Sequence, residues 1–213
     1  MGWIVEVSVA EVASGVWQAR SQHVCWVLIV DDAVTLVDTG YPGDKGRVMA
    51  SLQKIGRTPA DVDAVVLTHA HPDHIGSAEF FRSQVGAPVW VHERERANAT
   101  GERVEQVSVP DLLTRIWRPR VLVWLVEVGI GLKAAQVDRL GAVETFSANR
   151  LDVPGHPQSV PTPGHTSGHA ALHLPDLGVL VAGDALMTQH ALASTTGPSL
   201  LPDFFNTDTK QAR

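Results

Sequence analysis

The chain has 213 residues, 44% hydrophobic and 19% charged, with a mean hydropathy of +0.03. That composition excludes a disordered tail and a membrane bundle, and it leaves enough chain for one substantial core. The 17 Lys+Arg against 23 Asp+Glu give a formal charge of −6 with no long block of either sign, so no basic track for a phosphate backbone exists and nucleic acid is not an expected partner.

Residues 1–6 lack the basic start and unbroken apolar region of a signal peptide, which predicts a cytoplasmic protein. Strands are predicted at 4–9, 15–19, 23–30 and 33–37, and Cys25, the single cysteine, falls in the third as a small buried hydrophobe. After Asp38-Thr39-Gly40, the spacing of Val48, Leu52 and Ile55 predicts a helix over 45–55. The apolar β-branched run 62–67 predicts a strand buried on both faces. It runs into Thr68-His69-Ala70-His71-Pro72-Asp73-His74, where Pro72 is expected to deny a helix and turn the chain. A helix over 75–85 and a strand over 88–92 follow, so the rhythm is that of a layered α/β fold.

Residues 93–148 break that rhythm and read as a helical insert in a single domain spanning 1–213. Its apolar run at 121–126 is too short for a membrane span, which needs about 20 residues. Leu112, Leu113, Ile116, Trp117 and that run offer more apolar surface than one short helix hides. Helices over 110–140 are therefore expected to cover the cleft, with Trp117 and Trp124 as candidate pocket walls, and to allow a homodimer through the apolar insert. Strands return at 151–153, 170–174 and 179–182.

Five of the ten histidines, His69, His71, His74, His165 and His169, fall in two short windows. A chance H-x-H-x-D-H has odds of roughly one in a thousand in such a chain. At the end of a strand, positions i and i+2 point to one side, so His69 and His71 can share a metal ion. His69, His71, Asp73 and His74 are too many ligands for one tetrahedral ion that keeps an open position, so two ions are implied. His165, in a loop stiffened by Pro161, Pro163, Gly164 and Gly168, is the natural third ligand beside His69 and His71. Asp184, after an apolar strand, is placed to bridge both ions.

On Asp38-Thr39-Gly40, Thr68 to His74, Thr162-Pro163-Gly164-His165-Thr166-Ser167-Gly168-His169 and Gly183-Asp184, in that order, the chain resembles the metallo-β-lactamase-fold hydrolase superfamily, above all its glyoxalase-II-like and lactonase-like branches. The resemblance covers residues 3–92 and 150–190. It implies a four-layer αββα sandwich of the α/β class, with His69, His71 and His165 on the first metal, Asp73 and His74 on the second and Asp184 between them. Asp38 and His169 would orient ligands from behind. The family's last strand, which delivers a further histidine, has no counterpart in the residues after Asp184, so the closing C-terminal helix and strand are expected to be missing. His190 reads as a plain loop histidine.

The expected cofactor is zinc, two ions per chain with the second held weakly, with iron or manganese as alternatives. A metal-bound hydroxide, oriented by Asp73, would then cleave a thioester, lactone or other activated ester or amide of a small molecule. The rival readings are a mononuclear iron oxygenase using His69, His165 and Asp184, a non-catalytic or truncated relative, and a nuclease, which the acidic balance disfavours.

Overall fold

The computed structural model describes residues 7–106, 114, 117–147, 149–188 and 197–213. Strands β1 (Ser8–Ala13) and β2 (Val16–Arg20) form a hairpin around Gly15. Gly15 lies at φ 71°, and the Val30 carbonyl oxygen stands 2.6 Å from where a Cβ would be. This corrects the strand expected at 15–19, because left-handed backbone makes residue 15 the turn. The first strand accordingly sits at 8–13 instead of 4–9, of which 4–6 lie outside the described residues.

β2, β3 (Cys25–Val30) and β4 (Val34–Val37) continue antiparallel, and β5 (Val62–Val66), β6 (Val89–His92) and β7 (Glu144–Phe146) add in parallel to complete a seven-stranded sheet. β7 falls inside the stretch read as an insert. The alternation within β3 explains the layers: Trp26 and Leu28 pack towards the helices, while Val27 and Ile29 pack towards the second sheet. Each such fully buried side chain contributes about 1.5–3 kcal/mol. The helix Lys45–Lys54 covers the outer face, pinned by a 2.9 Å hydrogen bond from the Trp26 indole to Ser51 Oγ.

The second sheet has the order β10-β9-β8, built from β8 (Gln158–Pro161), β9 (Ala170–Leu174) and β10 (Val179–Val181). Its inner face, Ala170, Leu172 and Leu174, packs against the first sheet. Its outer face leaves Val160 and Leu180 exposed. The strand expected at 151–153 does not form. Leu151 and Val153 are buried, but apart from the isolated bridge Arg150↔Gln158 the segment is turn, closed by Pro154-Gly155.

Of the helices expected over 110–140, Pro119–Val126 is described, and Leu112, Leu113 and Ile116 lie outside the described residues. Leu122, Val123, Val126 and Ile130 are exposed. Among the described residues no helix is long and apolar enough to cross a membrane.

Candidate metal centre

The C-terminal ends of β4, β5, β8 and β10 meet at one edge of the sandwich, where the two sheets are joined by a hydrogen bond from Ala170 N–H to the Thr68 carbonyl at 3.0 Å. Pro72 does not break a helix there, as the sequence suggested. It occupies the first position of the short helix Pro72–Ile75, where its missing N–H costs nothing, and this turn presents Asp73 and His74.

Asp38, directly after β4, is buried and takes a φ of 60°. One of its carboxylate oxygens accepts the Thr68 backbone N–H at 2.9 Å; the other accepts the Thr68 hydroxyl at 2.9 Å and His74 Nδ1–H at 2.8 Å. Having given its proton to Asp38, Thr68 Oγ1 accepts from His69 Nδ1 at 3.2 Å. This network assigns both rings the tautomer whose bare Nε2 faces inward.

The Glu105 carbonyl, which can only accept, holds His71 Nε2–H at 2.8 Å and leaves the Nδ1 lone pair available to a ligand. His165 Nδ1 donates to Asn206 Oδ1 at 3.3 Å, so its Nε2 faces Asp184 Oδ2 at 3.4 Å. His169 differs. Its Nε2 accepts the Asp184 backbone N–H at 3.1 Å, and its Nδ1 therefore donates to Thr162 Oγ1 at 2.8 Å, so both nitrogens are engaged and the ring fixes the turn that carries Asp184.

Two sets of potential ligand atoms converge, each within 4.8 Å of one another: His69, His71 and His165, and His69, His74 and Asp184. Asp73 stands at the edge of the second, 3.6 Å from His74 Nε2, while Asp184 Oδ1 is 3.2 Å from that nitrogen. Nε2 of His69, His74 and His165 is in each case buried without a hydrogen-bond partner. Buried polar atoms are ordinarily paired, and lone pairs of several imidazoles aimed at one point are what a cation satisfies. The donors are nitrogen and oxygen without sulfur, a set that suits zinc, iron or manganese.

For His69 and His71 the electrostatics agree, whereas at His74 the surrounding carboxylates favour a proton on Nε2 that a bound cation would replace. Burial, then the neighbouring imidazoles, holds His69 and His71 well below the usual histidine range, and burial with His165 holds His169 at about 3. Burial lowers His74 too, but Asp38, Asp73 and Asp184 more than reverse this. Burial would raise Asp184, yet His74, His165 and His169 bring it well below the carboxylate range. A cavity of about 330 Å³ opens beside His165 and Asp184, walled by Pro161, Pro163, Leu200 and Leu201 with Asn206 and Arg213. Trp117 and Trp124 do not line it: Trp117 is exposed, and Trp124 stacks edge-on with Phe205, centroids 6.4 Å apart.

Sequence reasoning missed Glu95, Glu105, Arg139 and Asn206, which brace the histidine loops. The signal for Glu95 was its place three residues past β6; nothing local marks Asn206.

The model of the metallo-beta-lactamase superfamily matches residues 19–212, and the chain belongs to that superfamily. Among curated relatives, the probable metallo-hydrolase YflN of Bacillus subtilis is 29% identical over 83% of this chain and 67% of its own length. The uncharacterized protein Rv2581c of Mycobacterium tuberculosis is 30% identical over 83% of this chain and 75% of its own length. The solved structure of the metallo-beta-lactamase SMB-1 superposes with a TM-score of 0.60 at 16% identity, covering 77% of this chain and 56% of that one. The chain thus spans two thirds to three quarters of the length of these curated relatives and less of the solved structure.

Proposed function

We propose that the chain is a metal-dependent hydrolase of small activated carbonyl compounds, thioesters and lactones first, with His69, His71 and His165 holding one ion, Asp73 and His74 a second, weaker one, and Asp184 shared between them. The observation that carries this reading is the convergence of three buried, partnerless imidazole nitrogens. The name of the Bacillus subtilis relative supports it. A divalent ion, zinc being the best match to the donor set, supplies Lewis acidity when bound, polarising a carbonyl and bringing the pKa of a water from 15.7 to about 7.

The chain's own residues do the rest. Asp73 is about a quarter exposed beside His74, its carboxyl raised by burial, lowered by His74 and raised again by Asp184, with a net rise. That suits it to orient the attacking water, take a proton at its carboxylate and return it to the leaving group. Pro161, Pro163, Leu200 and Leu201 offer an apolar wall to a small acyl group, and Arg213, which also lines the cavity, is paired with Asp203 at 3.0 Å.

Elemental analysis of the purified chain and of a His69→Ala/His165→Ala variant, run beside a hydrolysis screen of thioesters, lactones and nitrocefin, tests the reading. Metal and hydrolysis are expected in the unmodified chain and absent from the variant. Equal metal in both would overturn it, and bound iron without hydrolysis would turn the reading to an iron oxygenase using His69, His165 and Asp184.

A further inference from the structure

Glu95 is a carboxylate 1% exposed that takes no part in the ligand sets above. It lies in the turn Glu93–Glu95 after β6, and both of its oxygens are fully used. Oε1 accepts the Ala70 N–H at 2.9 Å and the Asn98 side-chain amide at 2.6 Å; Oε2 accepts the Thr166 hydroxyl at 2.7 Å and the Gly168 N–H at 3.1 Å. Ala70 is the residue between His69 and His71, and Thr166 follows His165. One buried side chain thus binds both histidine loops, from sequence separations of 25 and 71 residues.

The other end of Ala70 is held as well. Its carbonyl accepts Arg139 Nη1 at 3.1 Å, and the same nitrogen reaches the Asn98 carbonyl at 3.0 Å. The loops lie directly on the turn: a Cβ on Gly168 would stand 2.2 Å from the Glu95 nitrogen, so only glycine permits the approach. Burying a charge is costly, and an apolar replacement of similar volume is often as stable, so stability alone is a poor reason for a carboxylate here. Four donors drawn from two loops and a neighbouring helix give it a geometric task instead.

We propose that Glu95, aided by Arg139, is the positioning residue that sets the spacing between the His69–His71 loop and the His165 loop, and with it the affinity and geometry of the metal site they form. This rests on the metal reading above. Glu95 acts through the Ala70 peptide and the Thr166 hydroxyl and touches neither metal nor substrate. Glu95→Gln keeps the shape but puts an NH₂ where one pair of donors needs an acceptor.

The test is titration of the full chain with Co²⁺, read by its d–d absorption, for the unmodified protein, Glu95→Gln, Thr166→Val and the double variant. Glu95→Gln should weaken Co²⁺ binding about 10- to 100-fold and shift the absorption bands. Thr166→Val should weaken it in the same direction, and the double variant should lose less than the two single losses combined, because both act on one linkage. Unchanged affinity and bands in Glu95→Gln, or strictly additive losses, would overturn the proposal. Should Glu95→Gln fail to fold by circular dichroism, Thr166→Val decides: an unaltered Co²⁺ affinity there overturns it. An unmodified chain that binds no Co²⁺ overturns the metal reading and the clamp with it, whereas normal binding in every variant sinks the clamp alone.

Discussion

His69 and His74 are held from behind by charge, whereas His71 and His165 are held by neutral groups. The first pair leans on the Asp38 carboxylate, directly for His74 and through Thr68 for His69, and Asp38 extends from a central strand. The second pair leans on the carbonyl of Glu105 and the amide of Asn206, both in connecting segments outside the sheets. Charge-assisted hydrogen bonds are roughly twice as strong as neutral ones. One half of the centre is therefore imposed by the sheet itself, and the other is completed by partly exposed segments outside it.

The sharpest way to break this comparison is Asp38→Ala, which strips the acceptor from three buried donors at once. Urea denaturation of the metal-free chain should show a loss of about 3–5 kcal/mol, as when one partner of a buried ion pair is removed.

Next in size is a proton effect at the neutral ring that fixes the Asp184 turn. His169 is held at about 3 in the fold, against about 6.5 when unfolded. The folded state therefore binds fewer protons, and stability complete above about pH 6.5 is lost as pH falls towards 3, by about 1.4 kcal/mol per unit. In chelator, the pH profile of the urea midpoint should be shallower for His169→Gln than for the unmodified chain by that one proton; identical slopes would contradict the assignment.

The smallest expected effect is that of Asn206→Ala, about 0.5–1.5 kcal/mol for one neutral hydrogen bond. If the same denaturation assay gave it a loss as large as that of Asp38→Ala, the division into a strong and a weak half would fall.

What was legible in the sequence follows the same division. The windows 68–74 and 162–169 carry their chemistry in consecutive residues, so ligand type and spacing could be read locally, and the apolar runs of β3, β4 and β5 marked the centre of the first sheet. Glu95 sits in a run of Glu and Arg that resembles a solvated surface, and its burial arises only when loops distant in the chain arrive with donors. β7 escaped notice because three residues with one inward side chain, Phe146, carry no period, and β8 because it ends in a proline. Leu151 and Val153 misled in the opposite direction: their alternation reflects burial of a turn, not strand pairing.

The backbone bond from Ala170 to Thr68 lies on the seam between the two sheets. His69, His71 and His74 belong to one side of that seam, His165 and Asp184 to the other. An ion held across it would bind the folded arrangement and not the unfolded chain, and so would add about 2.7 kcal/mol to the stability of the fold when present at a hundred times its dissociation constant.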